Sequence, residues 1–350
     1  SQTWNAFLHV DTQTVQQDTL VFSYNAQKQL TQAGPIGLQY DQGDRIAQVR
    51  DDSEFVGVFA YNAYDELAQM RANQGERNLY QSAYTYDALG RIATVKEEIQ
   101  GEETTISYRY DKKSQLVTEE REHLGETTQT QYVYDAFGNR VRVQEGESQV
   151  EASFDEHHRL LTQGDWTFTY NDYGQLTSKT RGETDETTRY QYNVLHQLQE
   201  VSLPNGQRIA YPLDPLGRRM GKTVNGELVS TFLYGHHLMP VAELDAQGNL
   251  RSRFLYASRS HVPEGMIRDG VLYRFVLDHR GSVRLVVNTE TGEVAQRLDY
   301  NAWGEVLVDS APGFQPFGFA GGLYDADTSL VRYGARDYDP HIGRWTTSAP

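Results

Sequence analysis

One short motif recurs along the chain and decides its fold. It reads YTYDALGRI at Tyr84–Ile92, YRYDKKSQL at Tyr108–Leu116 and YVYDAFGNRV at Tyr132–Val141. Each copy alternates aromatic and variable residues, reaches an Asp, and continues through a short polar or Gly-containing stretch to an aliphatic residue. More divergent copies extend the pattern in both directions: FSYNAQKQL from Phe22, FTYNDYGQL from Phe168, YQYNVLHQL from Tyr190 and LDYNAWGEV from Leu298.

The chemistry of a single copy predicts a β-hairpin. Tyr84 and Tyr86 share one face of a strand, because side chains alternate between faces with a period of two residues. Asp87 can hydrogen-bond the backbone downstream of it, and Gly90 can adopt positive φ, so a turn follows the second tyrosine. The aliphatic residue then begins a returning strand, which ends in a second, polar turn such as Gly101–Thr105.

The spacing of the motif indicates that one hairpin is the repeating unit. From Tyr24 to Tyr300 there are thirteen steps, so the period is about 21 residues, which suits two strands and two turns. We therefore predict an all-β fold. An ordinary β-sandwich with similar hairpins is the alternative, but it seldom keeps one Tyr-Asp signature over a dozen units. The key aromatic position falls at residues 24, 40, 61, 86, 110, 134, 154, 170, 192, 211, 234, 256 and 300, with Leu277 before the last.

Composition excludes several classes of function. The 350 residues include 32 Lys and Arg against 48 Asp and Glu, a net charge of −16, which argues against a general nucleic-acid or anionic-membrane binder. The absence of cysteine excludes disulfides, thiol catalysis and Cys-ligated metals. No apolar run approaches the roughly 20 residues of a membrane span. We expect no cofactor. The chain starts at Ser1 and ends at Pro350 inside a motif, which suggests a fragment or a processed product.

The C-terminal quarter changes character and carries longer, less degenerate motifs. It reads FVLDHRGSVRLVVNTETGEV at Phe275–Val294 and PFGFAGGLYDADTSLVRYGARDYDPHIGRW at Pro316–Trp345. This text resembles the Rhs-associated core domain. The preceding repeats resemble the YD repeats of Rhs proteins, teneurins and the B and C subunits of Tc toxins, and the resemblance runs from about Phe22 to Pro350.

The resemblance implies a fold and a division of the chain. In that family YD-repeat hairpins form a long curved, spiralling sheet, so this chain is expected to be a hollow β-shell or part of one. Residues 1–274 are expected to form the YD-repeat strip. Residues 275–350 are expected to form the Rhs-associated core domain with its self-cleavage motif, truncated at the C-terminal end.

The family's aspartyl-protease-like motif can be carried over residue by residue. Arg336 matches its Arg, Asp339-Pro340 its first Asp-Pro, and Gly343-Arg344-Trp345 its Gly-Arg-aromatic, whereas the second Asp-Pro falls at Ala349-Pro350. Carboxylate-driven hydrolysis needs one group to accept a proton while another donates one. Because Ala349 can do neither, we predict that this chain does not cleave itself. A buried salt bridge between Arg336 and Asp339, with a turn at Pro340, is the structural alternative.

The family also implies partners and a location. The chain is expected to be the core of a bacterial toxin that encapsulates a C-terminal toxin polypeptide and releases it by autoproteolysis. Its expected partners are that polypeptide as cargo, a type VI secretion spike or Tc-type delivery component, and a second copy in a homodimer, but no nucleic acid. It would reside in the bacterial cytoplasm before export and then be delivered into target cells. A passive cell-surface or adhesion scaffold is the alternative.

Five other groups of residues invite a functional interpretation, and a structural interpretation is preferred for each. The pairs His157-His158 and His236-His237 fall where the repeat places turns, so a metal site is not expected. Acidic residues at 41–44 and 325–327 lack the other oxygen ligands of a calcium loop. Asp278, His279 and Ser282 have only spacing to suggest a catalytic triad.

Overall fold

The fold consists of a long meander of β-strands and a small second sheet. The computed structural model describes residues 1–236 and 238–347. There, thirty strands run antiparallel, and each pairs with the next along the chain. Four further strands form a separate sheet. The all-β prediction is confirmed: in the described residues the single helical segment is the 3-10 turn Phe319–Gly321.

We call the first thirty strands the strip and the last four the terminal sheet. The strip comprises β1 Gln2–Trp4, β2 Val10–Val15, β3 Asp18–Tyr24, β4 Leu30–Ala33, β5 Ile36–Tyr40, β6 Ile46–Arg50, β7 Phe55–Tyr61, β8 Leu67–Gln74, β9 Arg77–Tyr86, β10 Ile92–Ile99, β11 Glu102–Tyr110, β12 Leu116–His123, β13 Glu126–Tyr134, β14 Arg140–Glu145, β15 Ser148–Phe154, β16 Leu160–Gln163, β17 Trp166–Tyr170, β18 Leu176–Arg181, β19 Glu186–Tyr192, β20 Leu198–Ser202, β21 Arg208–Ala210, β22 Gly221–Val224, β23 Glu227–His236, β24 Met239–Asp245, β25 Leu250–Leu255, β26 Gly265–Arg268, β27 Val271–Leu277, β28 Val283–Asn288, β29 Val294–Tyr300 and β30 Val306–Asp309. The terminal sheet comprises β31 Leu323–Asp325, β32 Leu330–Tyr333, β33 Arg336–Asp339 and β34 Arg344–Trp345.

Each part of the repeated motif has a structural task in the hairpin. Asp87 Oδ1 accepts hydrogen bonds from the backbone N–H of Leu89 and Arg91, which closes the turn, and Asp87 Oδ2 accepts one from Arg91 Nε. Gly90 has φ +73°, as the turn predicts. The Tyr86 hydroxyl donates to the Leu67 carbonyl in the preceding hairpin at 2.7 Å. Equivalent tyrosine-to-carbonyl bonds recur at Tyr24, Tyr40, Tyr61, Tyr110, Tyr134, Tyr234, Tyr256 and Tyr300.

A recurrent irregularity in pairing makes the strip curve. In the hairpin of β9 and β10, Tyr86 pairs with Ile92, yet its neighbour Thr85 pairs with Thr94, so one residue is left over beside the turn. Such β-bulges bend a strand and increase its twist. The same shift recurs beside Tyr24, Tyr40, Tyr61, Tyr110, Tyr134, Tyr170, Tyr192, Tyr234 and Tyr300.

The curved strip folds back on itself without closing into a barrel, and its late strands cover one face of its early ones. Phe55 and Leu79, from β7 and β9, share a core with Val276 and Leu285, from β27 and β28. Buried ion pairs join the same two layers: Arg274 to Asp51 at 2.9 Å, and Arg284 to Glu97.

The terminal sheet packs on the middle of the strip. Leu330 and Ile342 join a core with Leu176, Leu198 and Ile209 from β18, β20 and β21. The predicted boundary between residues 274 and 275 lies inside β27, which continues the meander, and that division stays a prediction. The sheet that departs from the meander begins at Leu323.

Candidate functional site

The predicted site residues Arg336 and Asp339 lie at the two ends of β33. This strand pairs with β32 on one side and with β34 on the other. Because side chains alternate along a strand, Arg336 and Tyr338 share one face while Asp337 and Asp339 share the opposite face. The strand therefore separates the two predicted residues instead of bringing them together.

Asp339 is a buried carboxylate with a distant partner. Its side chain is 1% exposed, and Lys179 Nζ, from β18 of the strip, lies 2.9 Å from Oδ2. The backbone N–H of His341 donates to Oδ1 at 3.1 Å. Removing two charges from water is costly unless each finds a partner at short range. Lys179 and Asp339 meet this condition for each other, and the pair ties the terminal sheet to the strip.

Arg336 lies away from the carboxylates. Its guanidinium stacks over the Trp345 ring at 4.3 Å from the centroid, in a cation–π contact. The structural alternative expected a buried ion pair between Arg336 and Asp339 beside a turn at Pro340. Arg336 does not take that place. The turn occupies residues 340–343, and Asp339 is paired, but with Lys179.

The sequence interpretation missed Asp337, which is as buried as Asp339. Its two oxygens accept from Arg219 at 2.7 Å and from Arg332 at 2.5 Å, and all three side chains are almost fully buried. Arg219 in turn lies over the Tyr211 ring at 3.5 Å. The spacing Asp337-x-Asp339 was the available signal, since two acids two residues apart on a strand share a face. The two arginines hold Asp337 as a structural anion.

Two tyrosines of β19 lie near the acidic residues of β33, Tyr190 near Asp339 and Tyr192 near Asp337. The Tyr190 hydroxyl is buried and has no hydrogen-bond partner in residues 1–236 and 238–347. Burial, and then the charge of Asp339, raise the pKa of Tyr190 well above its usual value. The Tyr192 hydroxyl donates to the Thr346 carbonyl, which also accepts from the Leu176 N–H at 2.8 Å. Thr346, the residue directly after β34, therefore contacts both β18 and β19.

The last predicted site residue, Ala349, lies outside the described residues. The remaining arrangement consists of two buried, ion-paired carboxylates, Asp337 and Asp339, on β33. Carboxylate-driven hydrolysis needs a group that accepts a proton. Hydrolysis also needs a proton donor, and alanine at position 349 supplies none.

Arg344, from the Gly-Arg-aromatic part of the motif, clamps the terminal sheet onto the strip. Its guanidinium donates to the His158 carbonyl and to Asn139 Oδ1, both at 2.9 Å. It also stacks over Phe154 at 4.5 Å. Part of the aspartyl-protease-like motif therefore holds the terminal sheet on the strip.

The other candidate groups have structural partners. His158 lies in a turn and stacks against Phe137, while His237 falls outside the described residues. No cluster of three or more His, Asp or Glu able to hold a metal occurs in the described part of the chain. Asp41 closes a turn with Arg45.

The remaining acidic groups are also accounted for. Lys222 Nζ bridges Asp325 and Asp327 at 2.7 and 2.6 Å. Asp278 caps its turn by accepting from the Ser282 N–H, and Ser282 Oγ accepts from the Ala320 N–H. Burial lowers the pKa of His279 to about 4, and its ring lies against Tyr84. These contacts are those of a turn, and none forms a triad.

Comparison with known proteins identifies this architecture. The family described as the teneurin YD-shell matches residues 4–349. The chain belongs to the teneurin YD-shell family. The resemblance to Rhs and YD-repeat proteins stated from the sequence is thereby confirmed, and so is the expected fold, a curved sheet of YD-repeat hairpins that is part of a β-shell. The chain is an Rhs-type shell scaffold. Its described residues contain no helix that is long and apolar enough to cross a membrane.

Relatives of this YD-shell chain occur in animals and bacteria. It is 29% identical to teneurin-1 of Gallus gallus over 200 residues, 57% of this chain and 7% of the relative. It is 32% identical to teneurin-3 of Mus musculus over 200 residues, 55% of this chain and 7% of the relative. It is 26% identical to the tRNA nuclease WapA of Bacillus subtilis over 223 residues, 61% of this chain and 9% of the relative.

Solved toxin structures share the fold. The crystal structure of TcdB2-TccC3-TEV superimposes on the whole chain with a TM-score of 0.76 at 17% identity. A Tc holotoxin pore of Photorhabdus luminescens does so with a TM-score of 0.75 at 16% identity. This chain covers 20% of each of those chains and less than a tenth of the relatives above.

Proposed function

We propose that this chain is the shell-forming core of a bacterial polymorphic Rhs toxin. In this proposal it encloses a toxin polypeptide that follows residue 350 and belongs to a machinery that releases it by aspartyl-type self-cleavage. Arg336, Asp339 and the residue at position 349 are the proposed site residues, and alanine at 349 disables the reaction. The single observation that carries the proposal is the buried Asp339–Lys179 pair on the strand leading to the chain end.

The burial of Asp339 favours a functional role beyond closing a turn. Turn-closing aspartates such as Asp87 are partly exposed and bond to a residue four positions on. Asp339 instead lies in the interior and takes a lysine that is 160 residues away in sequence. Charged groups placed in this way cluster at reactive sites, although ion-pair networks also use them. The intact motif around Asp339 favours the reactive interpretation.

The proposed cargo would lie beyond the space between the two layers of the strip. The late strands already cover one face of the early strands, and the cavity lined by β1–β4 on one side and β23–β25 on the other is about 590 Å³. Volumes of this size suit small ligands and not a folded domain. Enclosure therefore requires further shell strands, a delivery partner of the secretion-spike or Tc type, or a second copy in a homodimer. Residence in the bacterial cytoplasm before export into target cells belongs to the same proposal.

The test is the intact mass of the chain extended past Pro350 into its native downstream sequence. The protein is prepared with Ala349, with Ala349→Asp, and with Ala349→Asp combined with Asp339→Asn. Cleavage a short distance downstream in the Ala349→Asp protein alone is the expected result.

Two outcomes contradict the proposal. If no protein is cleaved, the chain is not an autoprotease core. If the Ala349 protein is also cleaved, position 349 is not a reactive position and the motif has been aligned wrongly.

A second function is favoured by the identities of the relatives. The teneurin matches reach 32% identity, above the 26% of the bacterial nuclease. A passive cell-surface or adhesion scaffold would need the strip and the terminal sheet but no second aspartate. It predicts that Ala349→Asp leaves the extended chain uncut and that Asp339→Asn changes only stability.

A further inference from the structure

A cavity of about 410 Å³ lies between the middle of the strip and two turns from the end of the chain. Strands β12 to β16 form one wall. Residues 301–307, in and after the turn that follows β29, form the other wall together with residues 340–341, which follow β33. Neither Lys179 nor Asp339 lines this cavity. Its volume lies in the range that holds small ligands.

Arg140, at the start of β14, brings a cation to this cavity. Its Nη2 donates to the Ile342 carbonyl at 3.1 Å, and its guanidinium lies over the Trp303 ring, 4.1 Å from the centroid. Its Nη1 is buried and has no hydrogen-bond partner within residues 1–236 and 238–347. Burial lowers the pKa of Arg140. A buried cation with an unused donor is costly, so an acceptor on a ligand would relieve it.

Glu119, on β12, brings a carboxyl group to the same cavity. Its side chain is 9% exposed, and its Oε1 lies 3.6 Å from Arg121 Nη2, which is longer than an ordinary hydrogen bond. Its Oε2 is buried and without a hydrogen-bond partner in the part of the chain that the structure describes. Burial raises the pKa of Glu119. A carboxyl group of this kind can accept from a hydroxyl or, when protonated, donate.

The remaining walls combine aromatic, aliphatic and amide groups. Tyr132 and Trp303 pack edge to face, with ring centroids 5.7 Å apart, and they line the cavity together with Val143. The amide side chains of Gln163 and Asn301 also line it. The cavity therefore offers apolar surface for the body of a ligand and several hydrogen-bonding groups for its substituents.

The other acidic groups that line the cavity already have partners. Glu145 accepts from the Thr130 hydroxyl at 3.0 Å. Glu305 accepts from Asn301 Nδ2 at 3.1 Å and lies 3.2 Å from His341 Nδ1. The net charge of the chain repels anions only at long range, because salt screens charges over about 8 Å under physiological conditions. At contact distance, the free donor of Arg140 favours an anion.

We propose that this cavity binds an acidic monosaccharide, with the sugar carboxylate on Arg140 and a ring hydroxyl on Glu119. Arginine suits a carboxylate because its planar fork can donate two parallel hydrogen bonds. A simple carboxylate would leave Glu119 and the two amides unused, whereas a hydroxylated ring uses them. The ring would lie against Tyr132 and Trp303. This site goes beyond the proposed function and does not depend on self-cleavage.

The first test compares ligands on the unaltered chain. The indole N–H signal of Trp303 is followed by NMR during titration with glucuronate and with galacturonate, and it is assigned by its loss in Trp303→Phe. At least one hexuronate should shift this signal to saturation. Glucose, which lacks the carboxylate, and acetate, which lacks the ring, should bind at least tenfold more weakly. The signal of Trp345, which does not line the cavity, should stay in place.

The second test removes each proposed contact, with the hexuronate that binds more tightly as the probe. Arg140→Gln should raise its dissociation constant at least tenfold. Arg142→Gln is the matched control, because Arg142 lies on the same strand but binds Glu151 at 2.7 Å and does not line the cavity. Glu119→Leu should weaken hexuronate binding without weakening the binding of acetate.

Several outcomes would overturn the proposal. Failure of both hexuronates to shift the Trp303 signal to saturation overturns the site. Equal affinity for glucose removes the role of the carboxylate, and equal affinity for acetate removes the role of the sugar ring. An unchanged affinity in a folded Arg140→Gln protein does so for Arg140. If that variant does not fold, the ligand comparison on the unaltered chain still decides.

Discussion

The dipeptide Tyr-Asp serves two different purposes in this molecule, in the strip and in the terminal sheet. At Tyr86-Asp87 the carboxylate closes a local turn and binds Arg91, four residues on. At Tyr338-Asp339 the carboxylate also accepts from the N–H two residues on, but the residue four positions on is Gly343, which has no side chain to offer.

The vacant local position changes what the carboxylate does. Asp339 Oδ2 is left for a partner from elsewhere, and Lys179 of the strip supplies it. Where glycine replaces the basic or amide residue four positions after the aspartate, the carboxylate forms a long-range contact instead of the local bond of a repeat turn. The lesson is that a repeat can generate a specialised site by losing one local bond. Substitutions in the strip and in the terminal sheet test this difference.

Asp337→Asn should be the most destabilising change. It leaves Arg219 and Arg332 buried with no anion between them, and uncompensated buried charges cost about 3–5 kcal/mol. Chemical denaturation should show a large drop in the midpoint. Asp172→Asn, at an exposed turn, should change the free energy of unfolding by less than about 0.5 kcal/mol. Equal effects from the two changes would refute the anchoring role.

Breaking the pair of Lys179 and Asp339 should cost nearly as much, about 3 kcal/mol for either Lys179→Met or Asp339→Leu. The double variant should lose less than the sum of the two, because neither charge is then left alone. Denaturation of all four proteins gives the coupling energy. The partly exposed pair of Asp87 and Arg91 should show a much smaller coupling. Additivity at Lys179 and Asp339 would contradict the long-range contact.

Gly343→Ala should be more damaging than Gly90→Ala. Both glycines have positive φ, +66° and +73°, so a Cβ costs about 1 kcal/mol in each place. At Gly343 the Cβ would lie 3.0 Å from the rigid Trp303 ring, and such overpacking adds about 1–3 kcal/mol, whereas at Gly90 it would meet only the flexible end of the Glu66 side chain, at 3.1 Å. Thermal unfolding of the two variants measures the difference. A larger loss at Gly90 would show that the terminal sheet packs more loosely than described.

Tyr86→Phe should reduce the free energy of unfolding by about 1 kcal/mol, because the hydroxyl bonded to the Leu67 carbonyl is lost. Tyr64→Phe is the control, since Tyr64 lies at a turn tip and is 84% exposed. Denaturation midpoints of both variants provide the measurement. No change in Tyr86→Phe would mean that the tyrosine-to-carbonyl bonds order the hairpins without stabilising them.

Lowering the pH should reduce the stabilisation that the turns of the strip provide. Hydrogen bonds from Arg91 and Arg45 hold the pKa values of Asp87 and Asp41 below the usual 3.8. The stabilisation is therefore complete above that value and is lost as the pH falls through the lower folded-state values. The melting temperature between pH 6 and pH 2 should drop less steeply in Asp87→Asn than in the parent chain. An unchanged slope would exclude this contribution.

Much of the fold could be predicted because its determinants are local. The alternation around Tyr84 and Tyr86, the turn at Asp87 and positive φ at Gly90 all follow from residues within one hairpin. The β-bulge beside each second tyrosine and the long reach of its hydroxyl were not predictable in the same way. A bulge is a property of two paired strands, and the hydroxyl partner belongs to the previous hairpin.

The candidate site shows the opposite balance. The family motif pointed to Asp339, and the structure places this residue in the interior. The motif did not reveal Lys179, Asp337 with its arginines, or the stacking of Arg336 on Trp345. Each of these depends on alternation along β33 or on docking of the terminal sheet. That Arg336 and Asp339 point to opposite faces follows only once residues 336–339 are known to form a single strand.

The residues of a single repeat specify a β-hairpin of about 21 residues, since side-chain alternation and turn chemistry act over a few neighbouring residues. The folding back of the strip, the docking of the terminal sheet on β18 and β19, and the pairing of Asp339 with Lys179 depend on the tertiary structure. These contacts join residues more than 100 positions apart. Their geometry depends on the summed twist and bulges of many strands, which no single motif encodes.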